Sequence, residues 1–169
     1  MKELEKKSTI VFLICLVALL GSFAYATLYN YEGYLLDMPL TIAVIGFFLA
    51  GTVFFGTLAF LPHLLYGLTL GYQKNAAIIL YFFPIAIATY AGVRLGFLLM
   101  DDFKKKKYFL EEFQSIIMML GVAIILSIVI EISLPVIISI WPQDMWGLEL
   151  KEGKNIGGLI EELTKYIRN

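Results

Sequence analysis

Pro39-Leu-Thr-Ile-Ala-Val-Ile-Gly-Phe-Phe-Leu-Ala-Gly51-Thr-Val-Phe-Phe-Gly56-Thr-Leu-Ala-Phe-Leu-Pro-His63-Leu-Leu-Tyr-Gly-Leu-Thr-Leu-Gly-Tyr72 runs for thirty-four residues without a carboxylate, lysine or arginine. At ~1.5 Å per residue, about 20 helical residues cross a ~30 Å hydrocarbon core, so the stretch is long for one crossing and short for two. Charge arbitrates. Basic residues favour the cytoplasmic side of a membrane protein, and here they gather at Lys2, Lys6 and Lys7 and again at Lys104–Lys107. A single crossing of Pro39–Tyr72 would put these clusters on opposite faces, whereas a double crossing puts seven lysines inside and leaves Lys74 outside. The expectation is five spans, or four if 39–72 is one broken helix. The bend between the two crossings is expected near Gly51–Gly56, where glycine tolerates a tight turn.

The rest of the chain supports a polytopic membrane protein. Of its 169 residues 60% are hydrophobic and only 16% charged, with mean hydropathy +0.82. A ~150-residue domain buries only about 70% of its surface, so lipid must supply the missing apolar phase. Ser8–Leu28, Ala76–Met100 and Ile116–Trp141 each read as one span, giving an all-α membrane bundle over 1–142 and an extramembrane tail over 143–169. The start imitates a secretory signal, with Ala24-Tyr25-Ala26 as a cleavage-like site. Its apolar run is longer than the ~7–15 residues of a signal core and reads as a retained anchor. Cys15, the single cysteine, excludes an intrachain disulfide, and with no basic stripe a nucleic-acid partner is excluded. The lipid bilayer is the first partner, with other membrane proteins or self-association as the second.

Pro39 stands where a helix begins and Pro142 where one ends, while Pro62 and Pro84 lie inside apolar runs and are expected to kink them. In the tail, Ile156, Leu159, Ile160, Leu163 and Ile167 follow helical spacing with charges between them, so a short amphipathic helix is expected there. Trp141 and Trp146 mark the water boundary. The N-terminus and the 101–112 loop are expected in the cytoplasm, and Tyr29–Met38 and the tail outside.

Four polar residues inside apolar runs are candidates for function. Glu131 lies between Ile130 and Ile132, deep in the last span, where an ionised side chain costs at least ~2.5 kcal/mol. It is either an ion or proton site or a hydrogen-bonded link between helices, with Ser127 one turn before it on the same face. Arg94 is seven residues from Asp101 and within snorkelling reach of the cytoplasmic surface. Straight helices place it too far from Glu131 for direct pairing. His63 reads as a packing residue near the middle of its span, and without a second histidine it has no fellow metal ligand of its own kind. No metal, cofactor or catalytic constellation is expected: no phosphate-binding loop, nucleophile elbow or paired-ligand motif occurs. Gly67-Leu-Thr-Leu-Gly71 and Gly92-Val-Arg-Leu-Gly96 are glycine pairs four apart, the spacing at which membrane helices approach closely. Their two helices are expected to pack on one another.

Leu61-Pro-His-Leu-Leu-Tyr-Gly-Leu-Thr-Leu-Gly71, Phe83-Pro-Ile-Ala86 with Gly92-Val-Arg-Leu-Gly96, and Ile130-Glu131 with Pro135 resemble, in order and spacing, the motifs of the stage II sporulation protein M family. The resemblance covers roughly residues 8–141. The chain departs from that pattern in having Tyr66 in place of an asparagine, and in lacking a Pro-His-Gly and a glutamate before the fourth span. The resemblance implies a helical membrane protein working within a larger membrane assembly. In sporulation, the family is linked to a complex that remodels peptidoglycan, with hydrolysis done by partners. The expected function is a non-enzymatic subunit or scaffold of a membrane complex; the alternative is a small transport or channel component using Glu131.

Overall fold

The computed structural model describes residues 2–33, 38–56, 58–73, 76–101 and 106–140. Its elements are α1 (Lys2–Leu28), α2 (Leu40–Val53), α3 (Phe60–Tyr72), a 3-10 segment (Ala76–Tyr81), α4 (Phe82–Asp101) and α5 (Lys106–Ile140). Among the described residues there is no strand. Glu3–Leu28, Ala77–Met100 and Tyr108–Ile137 are long and apolar enough to cross a membrane. The calls on the amphipathic tail, Trp141, Pro142 and Trp146 lie outside the described residues.

The helix boundaries follow from local chemistry. Asn30 takes the left-handed conformation at φ 50, and the Tyr31 N–H reaches back to the Ala26 carbonyl at 3.1 Å, which closes α1 as a Schellman motif does. Pro39 fixes the entry to α2 at φ -51, but offers no side-chain cap for the first amides of that helix. Pro62 and Pro84 are each the third residue of a helix, α3 and α4. Pro62 thus lies in a first turn, where amides have no helical acceptor and a proline ends no hydrogen bond, whereas Pro84 stands just where the 3-10 segment passes without a break into α4. Pro135 is the proline inside a helix, and it removes the donor that would have served the Glu131 carbonyl one turn earlier.

Pro39–Tyr72 does become two helices, and the bend between them begins inside Gly51–Gly56, after Val53, and takes in Gly56. Gly51 and Thr52 are still helical, and residues 54–56 and 58–59 lie in bends and turns. Gly51 is needed for another purpose: a methyl group there would stand 3.0 Å from the Thr89 carbonyl oxygen and 3.0 Å from the Val93 amide nitrogen of α4. The two helices have 14 and 13 residues, or about 21 and 20 Å each, short of a ~30 Å hydrocarbon core.

Register sets the directions. Glu5, Phe12 and Phe23 of α1 meet Arg94, Tyr90 and Phe82 of α4, so these helices run antiparallel. Phe48 and Thr52 of α2 meet Gly92 and Gly96 of α4, and Leu19 and Phe23 of α1 meet Gly67 and Gly71 of α3, so both of those pairs run parallel. The tightest packing in the fold is α1 on α3 and α2 on α4. This corrects the expectation that the two glycine helices pack on each other: α3 turns its glycines to α1, and α4 turns its own to α2. The core is apolar, with Leu19, Leu40, Leu70, Ile85 and Ile116 fully buried. Large apolar side chains such as Val17, Leu28 and Ile132 are at least 70% exposed, as a bilayer solvent allows.

Candidate functional site

Polar groups come together at three places in the bundle. The first is built on Glu131. Half-buried on α5, its Oε1 accepts the Thr41 backbone N–H at 3.0 Å, and its Oε2 accepts the Thr41 hydroxyl at 3.1 Å. Thr41 is the second residue of α2, so the carboxylate occupies the place of the side-chain cap that Pro39 cannot provide. Its negative charge also faces the positive end of the α2 dipole. Ser127, fully buried one turn earlier, has its hydroxyl 3.1 Å from Thr41 Oγ1 and 2.8 Å from the Ile124 carbonyl. Being level with the first turn of α2, Glu131 sits toward that end of the bundle rather than at its middle.

Arg94 carries the second. Its Nη2 lies 2.6 Å from Glu112 Oε2 and 3.9 Å from Glu5 Oε1, and its guanidinium carbon is 5.9 Å from the centre of the Tyr90 ring. Arg94 and Glu112 are 13% and 12% exposed, so this pair is largely withdrawn from solvent. The 2.6 Å approach is a charge contact without hydrogen-bond alignment at Glu112 Oε2, and the buried Arg94 Nε has no hydrogen-bond partner. One cation thus holds the start of α1, the second half of α4 and the start of α5 at one end. Glu112 and Glu131 are nineteen positions apart on α5, about 28 Å of helix, and Arg94 and Glu131 belong to separate clusters.

His63 is the third. It lies in the first turn of α3 rather than near the middle of a span, and it is 1% exposed. Nδ1 donates to the Ala59 carbonyl at 2.7 Å, because a carbonyl can only accept, and Nε2 is 2.7 Å from the Thr89 hydroxyl of α4. A neutral imidazole protonated on Nδ1 satisfies both contacts. The Phe47 ring packs 4.5 Å from the imidazole. With both nitrogens engaged, His63 offers no lone pair to a ligand.

The glycines complete the inventory. A methyl group at Gly71 would stand 2.7 Å from the Phe23 carbonyl oxygen and one at Gly96 2.6 Å from that of Thr52. At Gly67 and Gly92 it would overlap the carbonyls of Leu19 and Phe48. Among the described residues no three histidine, cysteine or acidic side chains group as metal ligands.

The partners of these groups are what sequence reading missed. Thr41 is 90 positions from Glu131, and no motif links them; the one available signal was a proline-started helix lacking its own cap. Glu5 and Glu112 belong to the charged flanks, where acidic residues usually face water. No family model, no curated protein and no solved structure matches this chain.

Proposed function

We propose that this chain is a non-enzymatic membrane subunit that serves as a scaffold within a larger membrane complex. The observation that carries the reading is the use made of its interior polar groups: Glu131, Ser127, His63, Thr89 and Arg94 all join one helix to another or to its own backbone. Such a set rigidifies a bundle and leaves the lipid-facing surfaces to partners. The resemblance to the stage II sporulation protein M family, carried by the two glycine pairs and Ile130-Glu131, points the same way; sporulation itself is not part of the proposal.

The proposed topology has five crossings, with the N-terminus and residues 101–112 in the cytoplasm and 29–38 and 142–169 outside. Two features support it. Arg94 gathers Glu5 and Glu112 at one end, where Lys6 and Lys7 follow Glu5 in sequence, and α2 and α3 run in opposite directions. Single cysteines at Lys6 and Lys105, in a Cys15→Ala chain, are expected to label from the same face of the membrane. Labelling from opposite faces overturns the topology.

The functional proposal is tested by purifying the native complex in mild detergent and quantifying its constituents by mass spectrometry. Other membrane proteins at fixed stoichiometry are the expected result. An isolated oligomer that conducts ions or exchanges solute in liposomes, and loses that activity with Glu131→Gln, would instead establish the transport reading.

A further inference from the structure

Close polar contacts join Glu131, Thr41 and Ser127 to one another and to the backbone of α5. The Thr41 amide nitrogen lies 3.0 Å from Glu131 Oε1, and Thr41 Oγ1 lies 3.1 Å from Glu131 Oε2 and 3.1 Å from Ser127 Oγ. Ser127 Oγ lies 2.8 Å from the Ile124 carbonyl oxygen. With the carboxylate ionised, these contacts must be served by the hydrogen of the Thr41 amide and the single hydrogen on each hydroxyl. The amide donates to Oε1 and the Thr41 hydroxyl to Oε2. Ser127 is then left with one hydrogen for two oxygens, Thr41 Oγ1 and the Ile124 carbonyl, so one of its contacts goes without. The ionised cluster is one hydrogen short.

We infer that Glu131, Thr41 and Ser127 form a reversible proton-binding site, in which a proton taken up on Glu131 Oε2 supplies the missing hydrogen. The neutral carboxyl group donates to Thr41 Oγ1, Thr41 donates to Ser127 Oγ, and Ser127 donates to the Ile124 carbonyl, while the Thr41 amide keeps its bond to Oε1. Each hydroxyl turns about its own C–O bond, so no heavy atom moves. An O–H bond forms on Oε2, no bond within the protein breaks, and the carboxylate loses its negative charge. The proton comes from water at the end of the bundle where α2 begins, and its release turns the hydroxyls back.

The residue types fit this use. A hydroxyl both donates and accepts, whereas an amide N–H or a carbonyl has a fixed role. A carboxylate acting only as a cap needs the Thr41 amide; the two hydroxyls are what let the same atoms hold the neutral form as well. Ser127 is fully buried, and the chain of bonds ends on a carbonyl that can only accept. Of the elements packed on α5, α2 carries no titratable residue, the 3-10 segment carries Tyr81, and α4 carries Tyr90, Arg94 and Asp101 toward the opposite end. Tyr66 of α3 joins Tyr81 as a phenol on this side, and phenols are uncharged at neutral pH. The carboxyl group of Glu131 is thus the one that changes charge here among the described residues. The inference goes beyond the scaffold reading and holds equally if the chain serves in transport.

The test is infrared difference spectroscopy of the full chain in lipid nanodiscs, titrated across the pH range in which the bundle stays folded. A C=O stretching band of a neutral carboxyl group is expected to grow on acidification, to disappear on return to alkaline pH, and to be missing in Glu131→Gln, whose amide group takes the place of the neutral form. Ser127→Ala should shift the frequency of that band, because the Thr41 hydroxyl loses its acceptor and the bond it receives from Glu131 changes with it. No band that depends on Glu131, or one that is unchanged at every pH, overturns the inference, and so does a band that Ser127→Ala does not move. If Ser127→Ala fails to assemble, Ser127→Cys decides by the same outcomes, since a thiol is a weaker donor and acceptor than a hydroxyl.

Discussion

The Arg94 end and the Glu131 end of this bundle keep a carboxylate in an apolar setting by different means. Near Arg94 the answer is an opposite charge: Glu112 is 12% exposed and meets a guanidinium 2.6 Å away. Near Glu131 no cation takes part among the described residues, and the counterpart is the first turn of α2, which presents the Thr41 amide and hydroxyl. A helix N-terminus carries roughly half a positive charge, so it holds an anion without adding a cation that would need shelter of its own. The comparison teaches that the sign of an isolated intramembrane residue does not reveal its partner, because a backbone can serve where a side chain is absent.

If the two ends differ in this way, they respond differently to substitution. Arg94→Leu should have the largest effect, because it leaves Glu112 buried and unpaired; a loss of about 3 kcal/mol is expected, read as unfolding by denaturing detergent in mixed micelles. Glu131→Leu comes next. It orphans the Thr41 N–H and leaves the Thr41 hydroxyl with Ser127 alone, at a cost of ~1–3 kcal/mol, and hydrogen exchange at the Thr41 amide should quicken while that of α3 stays unchanged. Glu131→Gln should lose under ~1 kcal/mol, since an amide oxygen still caps the helix. A Gln variant as damaged as the Leu variant would mean that the full charge matters and the capping account is incomplete. Glu5→Gln should be smallest, within ~0–1 kcal/mol, as its partner is 3.9 Å away and its side chain is 47% exposed. An effect at Glu5 equal to that of Arg94→Leu would invert the ranking and make α1, not α5, the principal partner of the arginine.

An all-helical chain with segments long and apolar enough to cross a membrane was legible because composition and run length decide it. Two helices within Pro39–Tyr72 were also legible, since the charge clusters demanded them; that Gly51 itself belongs to the first helix and not to the bend was not. Gly51 carried the same signal as a turn glycine although it serves close contact with α4, and a glycine in a sequence does not state which of its two uses applies. The glycine pairs likewise announce that some backbone comes near without naming it, which is why α3 and α4 were matched to each other instead of to α1 and α2. The extent of α5 beyond its apolar run was not legible for a different reason. Counting residues from a loop assumes that a helix begins and ends at the membrane boundary, and α5, at 35 residues, is far longer than the ~20 needed to cross.

The Thr41–Glu131 contact also bears on the order of biosynthesis. The cap of α2 is encoded 90 residues downstream, and at ~5–20 residues per second the ribosome needs roughly 5 to 20 seconds to reach it. During that interval the Thr41 N–H of α2 lacks the acceptor that α5 will bring, so it must stay near the water boundary or borrow an acceptor from the insertion machinery. The helix that is second in the sequence is thus completed last, when α5 enters beside it.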